Sequence, residues 1–262
     1  MLLIDAGNTR IKWAVPAAQP GDASRWRQHG AVARAEVRTL AAAWRALATG
    51  PQAVTQVCVS NVAGAALRES LEAVLQEVFG PRVAVEWFAS TEQRAGLRNG
   101  YRHPAQLGCD RFAAAIGARA MFPGEQLLVA TCGTATTIDA VSADGLFEGG
   151  MILPGFGTMA TSLALNTAQL PRIDEATPPE RVFADNTVDA IVSGCIAAQV
   201  GAIEHALAER RRAAPAGPLR CVLAGGAGLL LAPYLALGDV PLEKVDNLVL
   251  IGLHEVVMQE RQ

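Results

Sequence analysis

The chain has 262 residues, 51% of them hydrophobic and 5% aromatic, so its core must be built mainly from Ala, Val, Leu and Ile, as in an ordinary α/β protein. A formal net charge of −3 excludes a broad basic field and argues against nucleic acid as the main partner; the basic cluster Arg210-Arg211-Arg212 reads as the solvated end of a helix. Five cysteines without a C-x-x-C pair (Cys58, Cys109, Cys132, Cys195, Cys221), and His29, His103, His205 and His254 without metal-ligand spacing, exclude a disulfide framework or zinc site and point to a reducing cytoplasm.

Residues 2–15 (LLIDAGNTRIKWAV) open as an apolar run, a Gly turn and a second, alternating run. Asp5 and Arg10 interrupt the apolar stretch before a signal-peptide core can form. Val37, Leu40, Trp44 and Leu47 mark one face of a helix, and Leu67, Leu71, Val74 and Val78 mark another; strands are expected at 56–62 and 83–88. Asp110 opens a helix over 112–121. The pattern of the first hairpin then returns at 128–141 (LVATCGTATTIDAV), which predicts two related lobes, 1–119 and 120–262.

A strand at 145–153, a helix at 158–169 and a long helix at 187–212 follow, punctuated by Pro171, Pro178 and Pro179. A strand at 219–223 enters Ala224-Gly225-Gly226, and Asp246 is the expected N-cap of a closing helix carrying Leu250, Leu253 and Val257. The uncharged stretch 221–238 is broken by Gly225, Gly226, Gly228 and Pro233, so it reads as strand, turn and helix, with no membrane partner. No linker of disordered composition separates the lobes, which predicts close packing around a ligand cleft.

Asp5-Ala6-Gly7-Asn8-Thr9 has two readings. A tight turn at Gly7-Asn8 with Asp5 bonding its own turn would account for it locally. With Lys12 on the outgoing strand and further Gly turns at Gly133-Thr134 and Gly225-Gly226, the same residues read as a phosphate clamp, because backbone N–H groups at such turns point outward and a buried strand-end carboxylate needs a cation nearby. Gly108-Cys109-Asp110-Arg111 by itself is equally a structural ion pair or helix start, Tyr101 a packed loop aromatic, and Thr187 the N-cap of the long helix.

The three turns resemble the acetate and sugar kinase, Hsp70 and actin superfamily, which implies an α/β fold of two ribonuclease-H-like lobes with an interlobe ATP cleft. More specifically, Asp5-x-Gly7-Asn8-Thr9, Gly108-Cys109-Asp110-Arg111, the run from Gly133-Thr134 to Ile138-Asp139, Pro154-Gly155 with Ala164-Leu165 and Leu170-Pro171, and Asn186-Thr187 before Ser193-Gly194 together resemble the type III pantothenate kinases, also known as Bvg accessory factor-like proteins. The resemblance implies ATP-dependent phosphorylation of pantothenate to 4′-phosphopantothenate, the first step towards coenzyme A. It implies Asp110 as general base; Tyr101, Gly108, Cys109, Arg111 and Thr187 at the substrate; and Asp5, Ala6, Gly7, Asn8, Thr9, Arg10, Ile11, Lys12, Gly133, Thr134, Gly225 and Gly226 along the nucleotide. Asp5 would serve the magnesium of MgATP, through water, and the partner would be a second copy in a homodimer.

One position departs from the pattern. Where the family commonly has an Asp associated with potassium or ammonium, this chain has Thr131, a neutral hydroxyl, which puts the monovalent-cation site in doubt. The competing readings are another small-molecule kinase or ATPase of the superfamily, and a non-catalytic ATP-sensing transcriptional accessory factor. Retention of Asp5 and Asp110 and the lack of a basic recognition helix speak against the latter.

Overall fold

A computed structural model describes residues 1–17, 25–173, 177, 179–214 and 216–260; Pro178, one of the expected punctuating prolines, lies outside them. The chain forms two compact units, Met1–Met121 with Asn247–Gln262, and Phe122–Asp246.

In the first unit, β1 (Leu2–Ala6), β2 (Arg10–Pro16), β3 (Trp26–Ala33), β4 (Gln56–Asn61) and β5 (Ala84–Trp87) form a sheet of order β3-β2-β1-β4-β5. The first three strands are antiparallel and β1, β4 and β5 are parallel, the arrangement expected of a ribonuclease-H-like lobe. Leu2, Ile4, Val57 and Val59 face α1 (Leu40–Trp44) and α2 (Ala65–Phe79), where the fully buried Trp44 meets Trp13 edge-on with ring centroids 6.2 Å apart. The predicted face Val37, Leu40, Trp44, Leu47 is buried as expected. Its backbone is not one helix, however, but 3₁₀ turns on either side of α1, with Glu36 outside helical geometry.

A short hairpin, β6 (Gln93–Arg94) and β7 (Leu97–Asn99), precedes α3 (Cys109–Met121). The closing helix α7 (Leu248–Gln259) packs against α3 and β1, so the expected boundary of the lobes is corrected: residues from Asn247 onward belong to the first unit, not the second. Glycine is the physical reason. A Cβ on Gly252 would stand 1.8 Å from the Ala113 carbonyl oxygen, and one on Gly117 2.7 Å from that of Leu248, so the two backbones approach as only glycine allows. The predicted Asp246 cap is also corrected, because the N-cap is Asn247, held left-handed at φ 57°, a conformation Asn tolerates better than most residues. Arg94 ties this helix down through ion pairs with Glu86 and with Glu260.

The second unit repeats the plan. β8 (Gln126–Cys132), β9 (Ala135–Val141), β10 (Leu146–Pro154), β11 (Leu219–Ala224) and β12 (Leu242–Lys244) run in the order β12-β11-β8-β9-β10, antiparallel from β8 to β10 and parallel from β8 to β12. Counted outward from β8, this is the same strand order as in the first unit. α4 (Phe156–Asn166) and α5 (Thr187–Ala213) cover one face, and the short α6 (Gly228–Leu231) follows β11. α5 is long and apolar enough to cross a membrane, yet Ile191, Val192, Ile196, Ile203 and Leu207 lie in the core with Leu128, Ala130 and Leu223.

Two expectations for α5 are corrected. Asn186, not Thr187, is its N-cap, since Asn186 Oδ1 accepts from the Asp189 N–H at 3.0 Å and Thr187 is already the first helical residue. Arg210 is not solvated: it is 7% exposed and paired with Glu148 of β10, while Arg211 and Arg212 pair with Asp239 and Glu209.

Candidate active site

In the first unit, the register of β1 and β2 places Asp5 directly opposite Lys12, and the parallel pairing with β4 places it beside Ser60. The turn Gly7-Asn8-Thr9 closes with Gly7 N–H donating to the Arg10 carbonyl oxygen at 3.1 Å, and the Thr9 carbonyl accepts from the Arg34 N–H at 2.8 Å. Asn8, Thr9 and Arg10 are exposed at its tip. Ala6 and Ile11 are fully buried in the core, so the expectation that they lie along the nucleotide is corrected for their side chains; only their main chain is available.

Burial raises the Asp5 carboxyl from 3.8 to about 7; Lys12 pulls it down and Asp110 pushes it up. Asp5 and Asp110 are therefore close enough to sense one another's charge, although they lie far apart in the chain. The link is α3, whose first residue, Cys109, approaches Ser60 Oγ at 3.3 Å through its Sγ and the Asn61 carbonyl oxygen at 3.6 Å. The start of α3 is thereby fixed at the carboxyl end of β4. Burial also holds the Cys109 thiol above its ordinary range, so it stays protonated.

Asp110 Oδ1 accepts the Arg111 N–H at 2.8 Å. A Cβ on Gly108 would stand 2.8 Å from that oxygen, which explains the glycine there. Burial raises the Asp110 carboxyl above the ordinary Asp value, against the Arg111 N–H and the Arg111 charge, a shift that suits a general base. Arg111 is 6% exposed; its Nη1 donates to the Tyr101 hydroxyl at 2.8 Å, and the guanidinium lies over the Tyr101 ring, 5.7 Å from its centre. Asp5, Lys12, Tyr101, Gly108, Cys109, Asp110 and Arg111 thus form one constellation within one unit. Ser60 and Asn99 also belong to this surrounding and were missed, because single polar residues in an apolar strand and at the end of a three-residue strand carry no periodic signal.

In the second unit, Gly133-Thr134 forms the tip of the β8–β9 hairpin and is gripped from two sides. The Gly155 N–H and Thr158 Oγ1 both donate to the Thr134 carbonyl oxygen, at 2.9 and 2.6 Å, and the Ala227 N–H donates to that of Cys132 at 3.1 Å. Cβ atoms on Gly155 and Gly225 would stand 2.0 Å from the Gly133 oxygen and 2.3 Å from the Cys132 oxygen; Gly225 also requires φ of +88°. Gly226 follows, exposed. Thr131, half-buried on β8, lies opposite Thr137 of β9, whose buried Oγ1 has no partner among the described residues. Thr187 lines a separate cavity of about 900 Å³, with Thr158, Ser162, Asn186, Ile191 and Gly194 among its walls. Among the described residues no group of three or more His, Cys, Asp or Glu could hold a metal unaided.

The family model for type III pantothenate kinases matches residues 1–209. The chain is similar to the type III pantothenate kinase of Janthinobacterium sp. (strain Marseille), 56% identical over 99% of this chain and 98% of that one, and to that of Herminiimonas arsenicoxydans, 54% identical over 98% and 97%. Among solved structures it resembles a protein from Campylobacter jejuni assigned to the Baf family of transcriptional activators, with a TM-score of 0.57 at 18% identity over 100% of this chain and 99% of that one. It also resembles a protein from Sinorhizobium meliloti named as a 2-dehydro-3-deoxygalactonokinase, with a TM-score of 0.61 at 15% identity over 99% and 98%. At those identities the likeness carries the fold alone. With the Asp5 hairpin, the Gly108 to Arg111 segment and relatives matched along nearly their whole length, the chain belongs to the type III pantothenate kinase family.

Proposed function

We propose that the protein transfers the γ-phosphoryl group of MgATP to the primary hydroxyl of pantothenate, giving 4′-phosphopantothenate and ADP. The hydroxyl oxygen forms the new bond to phosphorus, the bond from phosphorus to the β,γ-bridging oxygen breaks, and the hydroxyl proton passes to Asp110. Most of the catalysis in such a transfer is positioning and charge stabilisation, so Asp110 chiefly orients the hydroxyl. The observation that carries this reading is the half-buried Asp110 carboxyl beside the Arg111–Tyr101 pair: a raised base next to a guanidinium fork suited to a carboxylate, and pantothenate carries both a hydroxyl and a carboxylate.

Asp5 and Lys12 divide the first hairpin's work, the carboxylate serving the magnesium of MgATP through water and the ammonium the phosphates. The exposed main chain at Gly7 to Arg10 and at Gly133-Thr134 suits phosphate oxygens, with Gly225-Gly226 at the adenosine. For a monovalent cation, Thr131 and Thr137 offer two neutral oxygens on one face of their strand pair, which supports weak retention of potassium or ammonium rather than a strong site. Phe183, Leu165, Val182 and Ile152, exposed at 92%, 77%, 67% and 65%, give the second unit an apolar surface that supports a homodimer, with Thr187 at a substrate pocket. A reducing cytoplasm suits the five free cysteines.

The test is ADP release with magnesium and ATP, with and without pantothenate, together with the mass of the product. The expected outcome is ADP formation that requires pantothenate and adds one phosphoryl group to it; ATP hydrolysis indifferent to pantothenate would contradict the proposal.

A further inference from the structure

The loop between β7 and α3 carries Tyr101 on its way to Gly108, and one side chain organises it. Asn99 Nδ2 donates to two carbonyl oxygens, those of Thr91 and Pro104, each at 3.1 Å, while Asn99 Oδ1 accepts the Tyr101 N–H at 3.1 Å. Its own N–H donates to the Glu92 carbonyl oxygen at 2.8 Å. A single amide therefore ties the strand entering the hairpin, the residue two positions on, and the start of the 3₁₀ turn at Pro104–Gln106. The residue it holds, Tyr101, is the one whose hydroxyl meets Arg111 at 2.8 Å, immediately beside Asp110.

We infer that Asn99 is a positioning residue for acceptor binding, setting Tyr101 so that its hydroxyl aligns the Arg111 guanidinium for the carboxylate-bearing substrate. The inference rests on the proposed substrate roles of Tyr101 and Arg111. The side chain is suited to this because an amide presents donors and an acceptor on one rigid plane, whereas a carboxylate would keep the acceptor for the Tyr101 N–H but set an oxygen, in place of Nδ2, against the two carbonyl oxygens. Leaving those groups unmatched loosens the loop, and a displacement of about 1 Å at Tyr101 is enough to misalign the fork.

The experiment is steady-state kinetics of Asn99→Ala, Asn99→Asp, Tyr101→Phe and the double variant Asn99→Ala/Tyr101→Phe. Asn99→Ala is expected to raise KM for pantothenate about tenfold, with a smaller change in kcat and KM for MgATP within about twofold. Asn99→Asp, matched in shape, is expected to raise the same constant and serves if the alanine variant does not fold. Because Asn99 acts through Tyr101, the double variant is expected to be no worse than the worse single variant. Unchanged pantothenate KM in the Asn99 variants, with a raised KM in Tyr101→Phe, overturns the inference and leaves the site reading standing. An unchanged KM in Tyr101→Phe overturns both. Multiplying losses in the double variant, or an equal rise in KM for MgATP, would mark Asn99 as structural support only and overturn the inference as well.

Discussion

The two hairpins β1–β2 and β8–β9 share a backbone plan and differ in what their matching positions carry. In the first, Asp5 faces Lys12 across the pair; in the second, Thr131 faces Thr137, two neutral hydroxyls, while Asp139 of β9 is buried opposite Val129. The first turn is held by its own Gly7 bond and one bond from Arg34, whereas the second is gripped through the Thr134 and Cys132 carbonyls by Gly155, Thr158 and Ala227. A duplicated unit has thus separated two tasks. The hairpin with an Asp–Lys pair across its strands keeps an exposed tip, and the hairpin with a Thr pair near its turn is fixed in place by close backbone contacts. Charge at Asp5 is costly to fold, which is why burial drives its carboxyl to about 7, and Lys12 across the pair offsets part of that cost.

The largest break in this comparison is Asp5→Asn. It is expected to lower kcat/KM for MgATP by roughly two orders of magnitude, measured by steady-state kinetics, because the metal loses its charged neighbour. The same change is expected to stabilise the free protein. The folded-state value of about 7 lies above the ordinary 3.8, so the folded protein binds the extra proton between those values: stability from that proton is complete below 3.8, declines as pH rises and is lost above about 7. Urea denaturation without nucleotide or magnesium should therefore show Asp5→Asn more stable than the parent at about pH 8, with the difference fading towards about pH 4. A parent as stable as the variant at the higher pH would contradict the burial of that charge.

Next in size is Gly155→Ala, whose methyl would stand 2.0 Å from the Gly133 oxygen and displace the second tip; Gly7→Ala meets only the Arg10 oxygen at 3.2 Å. We expect about a tenfold or greater loss of turnover for Gly155→Ala, with about 1–3 kcal/mol of stability lost to overpacking, and within about threefold of parent turnover for Gly7→Ala. Equal effects would remove the distinction between a tip gripped by neighbouring backbone and one with room beside its glycine. The smallest effect is Thr131→Asp, which puts a carboxylate where the first copy of the repeat has Asp5. Turnover against potassium, at constant ionic strength with tetramethylammonium as replacement, should saturate at severalfold lower potassium in the variant than in the parent. An identical response would show that Thr131 never weakened the site.

The repeat between 2–15 and 128–141 was readable because β1 and β8 are central strands buried almost throughout, so that the apolar run before each Gly turn stands out; the strand order of the two sheets was not readable from it. β3 was not readable: it is an edge strand, largely exposed from Arg27 to His29, so no apolar alternation marks it. The apolar positions of α7 announced a helix but not its neighbour, and the role of Gly252 exists only against the Ala113 carbonyl. The same holds at the site. Asp5 stood out as a charge ending an apolar strand, whereas Asp110 and Arg111 were marked only by the family resemblance; Asp5 senses the Asp110 charge and Arg111 bonds Tyr101, while Ser60 and Asn99 act through hydrogen bonds to groups that sequence spacing does not bring together.

The most direct test of the reaction is the turnover of Asp110→Asn, measured beside calorimetry of MgATP and pantothenate binding. Asn keeps the shape of the carboxylate and loses the proton acceptor. The account predicts that both ligands still bind while turnover falls by roughly two to four orders of magnitude. Turnover of pantothenate within a few-fold of the parent would contradict it.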